Sequence, residues 1–203
     1  MNNERTYTHL VKQAMKVELN AISELVKHDL MDYESVCRKI AECEGKIVFM
    51  GVGKSGHIGK KLAATFASTG TPSFFVHATE GVHGDLGMIE ARDITILISN
   101  SGSTKEVLDT LPTLSQIGCV TIAFTSNGES ELAKRCDFQI LYPKQNEADH
   151  LQLAPTSSST MTLVLGDAIA CAVSEAKQFT KEAFHKYHPA GALGKKLREE
   201  AAR

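Results

Sequence analysis

The sequence lacks the marks of several protein classes, and the first of these is a cysteine framework. Its five cysteines are odd in number, scattered along the chain and never spaced as Cys-x-x-Cys. A disulfide-rich fold needs paired cysteines and a zinc site needs closely spaced ligands. We therefore expect free thiols and no bound metal.

A charge imbalance and a long apolar run are missing as well. The formal net charge is −2, which gives no electrostatic reason to expect nucleic acid or an anionic membrane surface as a partner. No apolar run approaches the ~18 residues that a membrane span needs. The amino terminus carries Glu4, Arg5 and Lys12 where a signal peptide would be apolar. We expect a cytoplasmic protein whose partner is a small molecule.

No Gly/Ser linker, repeat or low-complexity segment divides the 203 residues, of which 42% are hydrophobic. This content is enough for one well-buried domain. We predict a single domain over residues 1–203, with a core at about 45–176 and helical extensions at 1–44 and 177–203. Its predicted strands are Ile47–Met50, Ser73–Val76, Ile94–Ile98, Cys119–Phe124 and Phe138–Tyr142.

Helical patterns alternate with these strands, which is typical of a parallel sheet covered on both faces. We predict an α/β fold: a three-layer, doubly wound, five-stranded sheet in the flavodoxin-like order 2-1-3-4-5. The last predicted helix is apolar nearly all round, so it should be buried as the central packing helix and in a subunit interface. The predicted helices are about Tyr7–Leu30, Tyr33–Cys43, His57–Ser68, Lys105–Ile117, Ser130–Arg135 and Ser157–Ala176.

The turn after the third predicted strand is rich in hydroxyl groups. Ser99, Ser101, Ser103 and Thr104 lie within six residues, between an apolar β-branched run and a helical pattern. Free backbone N–H groups and the helix dipole favour an anion at such a turn, and hydroxyls add uncharged donors. The alternative is that these residues only cap the helix, but four exceed what a cap needs. The turn therefore predicts a phosphate site.

A glycine-rich turn follows the first predicted strand. Its sequence, Gly51 to Gly56, fits the G-x-G-x-x-G pattern of a dinucleotide-binding loop. The next strand ends in Val76 and His77 without the acidic residue that would hold a ribose. A P-loop would need a glycine at position 48, which is Val48. We therefore interpret the segment as a glycine-rich turn with a lysine and a serine at its tip. In the assumed strand order, this turn and the hydroxyl-rich turn lie next to each other at the switch point of the sheet.

Five motifs in order resemble one family. Residues 51–59 (GVGKSGHIG), 83–88 (HGDLGM), 99–102 (SNSG), 154–158 (APTSS) and 188–194 (HPAGALG) together are similar to the sugar-isomerase (SIS) domain of bacterial arabinose-5-phosphate isomerases. The resemblance implies tetrameric assembly and aldose–ketose isomerisation of a sugar phosphate without a redox cofactor. The paired CBS domains that follow this domain in many such enzymes are not in the sequence. This leaves the exact sugar open, because single-domain relatives isomerise other ketose phosphates.

The resemblance also implies the site residues. The catalytic group would be Lys54, Glu106, Glu147 and His188. Binding of the substrate and its phosphate would involve Gly53, Ser55, His83, Ser99, Asn100, Ser101 and Thr104.

Moving a carbonyl between C1 and C2 requires a base, an oxyanion donor and a group that opens the sugar ring. We rank Glu147 first as the base and Glu106 second, and we assign Lys54 to the oxyanion. His188 would open the ring or shuttle a proton, within its own subunit or across a subunit boundary. Each residue also has a structural alternative: Glu106 as a helix-terminal acid, for example, or Glu147 as a solvated loop acid. The alternative function is a non-catalytic module that senses a sugar phosphate.

Overall fold

A computed structural model gives the fold and describes residues 6–28 and 33–188. Five parallel strands form one sheet in the order β2-β1-β3-β4-β5, which confirms the predicted topology. The strands are β1 (Ile47–Gly51), β2 (Ser73–His77), β3 (Ile94–Ile98), β4 (Val120–Thr125) and β5 (Phe138–Leu141). All residues of β1 and β3 are buried, as expected for central strands with helices on both faces.

Nine α-helices and one 3-10 helix surround the sheet within the described residues. They are α1 (Tyr7–Lys27), α2 (Tyr33–Ala41), α3 (Gly53–Ser68), α4 (Ala78–Gly81), α5 (Lys105–Leu108), α6 (Leu111–Ile117), α7 (Glu131–Arg135), α8 (Ser157–Ala176) and α9 (Lys181–Tyr187), with the 3-10 helix at Asp85–Met88. The predicted end of α1 at Leu30 lies outside the described residues.

Side chains of alternate strand residues form two cores, one on each face of the sheet. Phe49 and Ile96 belong to the core that includes residues of α1, α2, α3 and α8, whereas Val48 and Leu97 face the core beneath α5 and α6. The amino-terminal extension takes part in the first core, because Ile40 of α2 is fully buried there. The extension therefore packs onto the predicted core rather than standing apart from it.

The helix predicted at Lys105–Ile117 is wrong as a single element, because the chain forms α5 and α6 instead. Pro112 lies in the first turn of α6. Proline has no N–H to donate and its ring clashes with the carbonyl four residues earlier, so one helix cannot run through this position. The break makes α5 a single turn directly after the hydroxyl-rich loop.

The predicted start of the helix after β1 is also wrong. We expected it near His57, but α3 begins at Gly53, and the Gly56 N–H donates to the Val52 carbonyl at 3.0 Å. Lys54 and Ser55 therefore lie in the first helical turn. The glycine-rich loop is correspondingly short, and the sheet edge is followed at once by a helix amino terminus.

Helix α8 packs as predicted. It contacts α1, α2 and α3, and Met161, Leu165, Ile169 and Val173 are buried in the core. By length and composition it could also cross a membrane, but the core helix of a globular protein meets the same test, and half of its apolar window is buried here. Its proposed part in a subunit interface stays a prediction.

Candidate active site

The ends of β1 and β3 meet at the carboxyl edge of the sheet. A Cβ built on Gly51 would lie 3.2 Å from the Ile98 carbonyl oxygen and 3.3 Å from the Gly56 nitrogen. Real Cβ atoms rarely approach so closely, so a glycine suits this crossing of the two loops. The glycine-rich turn and the hydroxyl-rich loop are therefore adjacent, as the assumed strand order predicted.

The first turn of α3 offers uncompensated hydrogen-bond donors at this edge. Its N-cap, Val52, has no side chain that could accept from the helix, and the first N–H groups of any α-helix lack intrahelical partners. Lys54 is exposed and Ser55 is half-buried. No ion pair of Lys54 is found within the described residues. The turn thus presents backbone donors, a hydroxyl and a cation to one position, which suits an anion.

Hydroxyl groups hold the loop after β3 in shape. Ser99 is buried; its Oγ accepts from the Gly102 N–H at 3.1 Å and shares a hydrogen bond of 2.7 Å with Thr104 Oγ1. Thr104 is the N-cap of α5 but makes no capping bond, so capping does not account for its hydroxyl. Ser101 is exposed, and its Oγ accepts from the N–H and the hydroxyl of Ser103 at 3.2 and 2.9 Å. Sequence reasoning left Ser103 out of the site, although it belonged to the same cluster.

Gly102 fixes this loop against α7. Its φ is +67°, a conformation that side chains disfavour, and a Cβ at this position would lie 2.0 Å from Ser130 Oγ. Ser130 cannot move freely because its Oγ accepts from the Ala133 N–H as the cap of α7. The loop therefore rests on a tight contact that only glycine allows.

We predict that Gly102→Ala lowers the free energy of unfolding by about 1–3 kcal/mol and weakens binding of inorganic phosphate. The matched control is Gly118→Ala, because Gly118 also has a positive φ of 79° but has open space around its Cβ position. Urea unfolding and phosphate titration by NMR would measure both effects. Equal stability and equal phosphate affinity in the two variants would contradict this account of the loop.

Asn100 links the loop to the carboxyl ends of β4 and β5. Its carbonyl oxygen accepts from the hydroxyls of Thr125 and Ser126 at 3.1 and 2.8 Å. Its side-chain oxygen accepts from the Tyr142 hydroxyl at 3.0 Å. Burial raises the pKa of Tyr142 to about 12, with a further contribution from the charge of Glu147. Tyr142 thus remains a donor at neutral pH and ties the loop after β3 to the segment that carries Glu147.

Glu147 lies in the long loop between β5 and α8 and interacts with the start of α8. Its Oε2 accepts from the Thr156 N–H at 2.7 Å, the Thr156 hydroxyl at 3.0 Å and the Ser158 N–H at 3.2 Å. Burial alone would raise the pKa of Glu147, but hydrogen bonds from Ser158 and Thr156 outweigh it, so the pKa is lowered. The carboxylate is therefore ionised at neutral pH. It also borders a cavity of about 550 Å³ beneath α1.

Glu106 and His83 lie at the same edge on short elements. Glu106 is exposed in the first turn of α5, and its carboxylate makes no hydrogen bond or ion pair within the described part of the chain. Helix α4 packs against α5, and His83 follows α4 by two residues. His83 is exposed and is therefore not a core histidine.

Residues 39–172 match the family model of the SIS domain. The chain belongs to the SIS domain family. Arabinose 5-phosphate isomerase KdsD of Shigella flexneri is 48% identical over 186 residues, which are 92% of this chain and 57% of that protein. The Pseudomonas aeruginosa protein of the same name is 46% identical over 197 residues, 97% of this chain and 60% of that protein. The chain therefore spans less than two thirds of the length of these curated relatives.

A solved structure gives the same assignment. Escherichia coli CFT073 c3406 in complex with arabinose 5-phosphate superposes with a TM-score of 0.89 and 53% sequence identity, covering 93% of this chain and all of that one. The resemblance drawn from the five sequence motifs is thereby confirmed, as is the predicted SIS fold.

His188 does not join the other site residues within one copy of this SIS domain. It borders a second cavity of about 550 Å³ with Lys46, Ser73 and Phe74, at the amino-terminal ends of β1 and β2. Its Nδ1 lies 3.0 Å from the Phe184 carbonyl oxygen, and its ring stacks on that of Phe184 at 3.9 Å. One strand length, roughly 15 Å, separates the two edges of the sheet. Lys54, the hydroxyl-rich loop, Glu106 and the loop that carries Glu147 thus all follow strands that end at the carboxyl edge, whereas His188 lies at the opposite edge.

The described residues of this SIS domain contain no group of three His, Cys, Asp or Glu side chains that could hold a metal ion. Sequence reasoning missed the role of Thr156 and Ser158, which fix the Glu147 carboxylate. The signal was present, because both residues belong to the motif at 154–158 and stand at the start of an apolar helix, where free N–H groups attract an anion.

Proposed function

We propose that the chain is a sugar-phosphate isomerase that interconverts arabinose 5-phosphate and ribulose 5-phosphate through an enediolate. The observation that carries this proposal is the convergence of the exposed Lys54, in the first turn of α3, with the hydroxyl-rich loop at the carboxyl edge. Relatives that carry the name arabinose 5-phosphate isomerase at 46–48% identity support it. So does the related structure in complex with arabinose 5-phosphate.

The phosphate would bind where the two loops meet. Free N–H groups at the start of α3, including that of Gly53, and the hydroxyl of Ser55 would donate from one side. Ser101 would donate from the other side. Ser99, Asn100 and Thr104 would hold that loop in its binding shape, since all three are engaged in hydrogen bonds with neighbouring residues. His83 would border the sugar.

The reaction moves one proton between carbons. A carboxylate base removes the proton from C2 of the open-chain aldose, the C–H electrons form the C1–C2 double bond, and negative charge develops on the C1 oxygen. Lys54 would stabilise that charge. Return of a proton to C1, with transfer of the C2 hydroxyl proton to the C1 oxygen, gives the ketose. Glu147 is our first candidate for the base because it is ionised and held in place; Glu106 is the second.

We further propose a cytoplasmic homotetramer in which His188 of a neighbouring copy completes the site and opens the sugar ring. The support is the position of His188 at the opposite edge of the sheet from Lys54. We expect a mass near four times 22.0 kDa from light scattering coupled to size-exclusion chromatography. A monomeric mass would refute both the assembly and the shared site.

The experiment that tests the function is NMR in D₂O with arabinose 5-phosphate or ribulose 5-phosphate. We expect interconversion of the two sugars and deuterium uptake at the carbon next to the carbonyl. Protein carrying Glu147→Gln, purified identically, controls for contaminating isomerases. If neither turnover nor exchange occurs, hexulose and heptulose phosphates come next. Binding without turnover of any of these sugars would overturn the enzyme proposal in favour of a sensor.

A further inference from the structure

One histidine at the edge of the proposed site has no part in the mechanism above. His77 is the last residue of β2, and the strand register pairs it with Gly51, the last residue of β1. Neighbouring strands lie about 4.8 Å apart, so the backbone of His77 stands directly beside the glycine-rich turn. Its place at this edge follows from the register rather than from any sequence motif.

The imidazole of His77 lies on the α3 side of the sheet. Side chains alternate along a strand, so His77 shares a face with Phe75. The Phe75 ring packs against α3, because a Cβ built on Gly59 would lie 3.0 Å from it and one on Gly56 would lie 3.4 Å from it. The rings of Phe75 and His77 are 6.4 Å apart in an edge-to-face arrangement. His77 therefore flanks the helix whose first turn carries Lys54.

Burial distinguishes the two ring nitrogens of His77. Nδ1 is buried and has no partner, and Nε2 makes no hydrogen bond within the described residues. The residue as a whole is half-buried, which leaves part of the ring accessible at the sheet edge. A proton on Nδ1 would be a buried N–H without an acceptor, which is costly. The tautomer that avoids this cost carries its proton on Nε2 and is a donor.

We propose that His77 contacts the substrate and donates a hydrogen bond from Nε2 to a sugar oxygen, beside Lys54. This inference rests on the proposed function. A neutral donor suits a hydroxyl or carbonyl oxygen of the sugar, while Lys54 and the helix amino terminus supply the positive potential for the charged atoms. The packing of Phe75 against α3 fixes the direction in which the ring presents this donor.

Three substitutions of His77 test whether the residue contributes to activity and whether Nε2 is the atom that does so. The amide nitrogen of a glutamine reaches close to the position of Nε2, whereas that of an asparagine stays near Nδ1, and a phenylalanine keeps only the ring. We expect His77→Phe and His77→Asn to lower kcat/KM about tenfold, and His77→Gln to stay within about threefold of the wild type. His9→Phe, on the exposed start of α1, is the control for replacing a histidine.

A purely structural role for the ring predicts the opposite order, because phenylalanine would preserve the packing and glutamine would not. Full activity of His77→Phe, or equal loss in His77→Phe and His77→Gln at unchanged melting temperature, would overturn the proposal. The dissociation constant of arabinose 5-phosphate, measured by calorimetry on the same variants, tests the role of His77 separately from the proposed isomerase activity. If the wild type binds the sugar phosphate without turning it over, the isomerase proposal fails. The His77 proposal is then still tested, because it expects weaker binding in His77→Phe and His77→Asn than in His77→Gln. A wild type that does not bind the sugar phosphate overturns both.

Discussion

Replacing Lys54 with methionine lowers kcat by roughly 10²–10³-fold and leaves the fold intact. The loss is large because Lys54 would stabilise charge that appears only in the transition state. The fold is spared because the Lys54 side chain is exposed and has no ion pair within the described residues, so no buried partner loses its countercharge. Methionine has a similar length and helix propensity. Steady-state kinetics and thermal unfolding measure the two effects.

The matched control is Lys60→Met, six residues further along the same helix. Lys60 is also exposed, and its Nζ lies 5.4 Å from the centre of the Phe75 ring. Its loss removes a cation–π contact of about 0.5–1 kcal/mol and the same formal charge, but no donor from the proposed site. We expect activity close to that of the wild type. If the two variants lost activity equally, general attraction of the anionic substrate would explain the effect, and Lys54 would have no special role.

The sheet could be predicted from the sequence because its central strands carry an unambiguous pattern. Ile94–Ile98 is a mostly apolar, β-branched run interrupted only by Thr95, and such a run is typical of a strand buried on both faces. The break between α5 and α6 was also predictable in principle, since Pro112 stands inside the helical pattern. The apolar spacing of Val107, Leu111 and Leu114 outweighed that proline in the prediction.

The start of α3 could not be predicted in the same way. Glycine is a poor helix former, so Gly53 and Gly56 favoured a loop before His57. In the structure Gly56 and Gly59 allow close packing, because a Cβ at either position would lie within 3.4 Å of the Phe75 ring. This close approach of helix and strand depends on tertiary contacts that the local sequence does not reveal.

The two loops at the carboxyl edge could be located from the sequence, but the surroundings of Glu147 and His188 could not. The turns after β1 and β3 can be recognised from their composition, because glycine and hydroxyl residues follow apolar runs there. The environment of Glu147 depends on how the loop before α8 folds back to place Thr156 and Ser158 around the carboxylate. The position of His188 depends on where α9 packs. Neither the environment of Glu147 nor the position of His188 can be read from the spacing of apolar residues along the chain.

Glu147→Gln lowers kcat by about 10²–10⁴-fold if this carboxylate removes the carbon-bound proton, because an amide cannot accept it. The same change has a structural cost. Oε2 of Glu147 accepts three hydrogen bonds from Thr156 and Ser158 at the start of α8, and an amide oxygen replaces a charged acceptor with a neutral one. We expect a loss of about 0.5–2 kcal/mol in the free energy of unfolding, as for other helix caps. Kinetics alone would therefore mix two effects.

The stability effect has its own pH dependence. The pKa of Glu147 in the folded protein is lowered from its ordinary value of 4.5, so its charge stabilises the fold above that value, and the contribution is lost as the pH falls through the folded pKa. We expect the difference in unfolding free energy between the wild type and Glu147→Gln to be full at pH 7 and to shrink below pH 4.5. Urea unfolding at both pH values measures it.

Asp149→Asn separates the structural role from the chemical one. Asp149 lies in the same loop, and its carboxylate likewise accepts backbone hydrogen bonds, from Leu153 and Ala154 at 2.8 and 3.0 Å. The substitution removes one carboxylate and weakens comparable bonds, so it should cost similar stability while leaving kcat within a fewfold of the wild type. A small and equal loss of kcat in the two variants would reduce Glu147 to a cap of α8. Glu106, whose carboxylate makes no hydrogen bond or ion pair within the described residues, would then be the base.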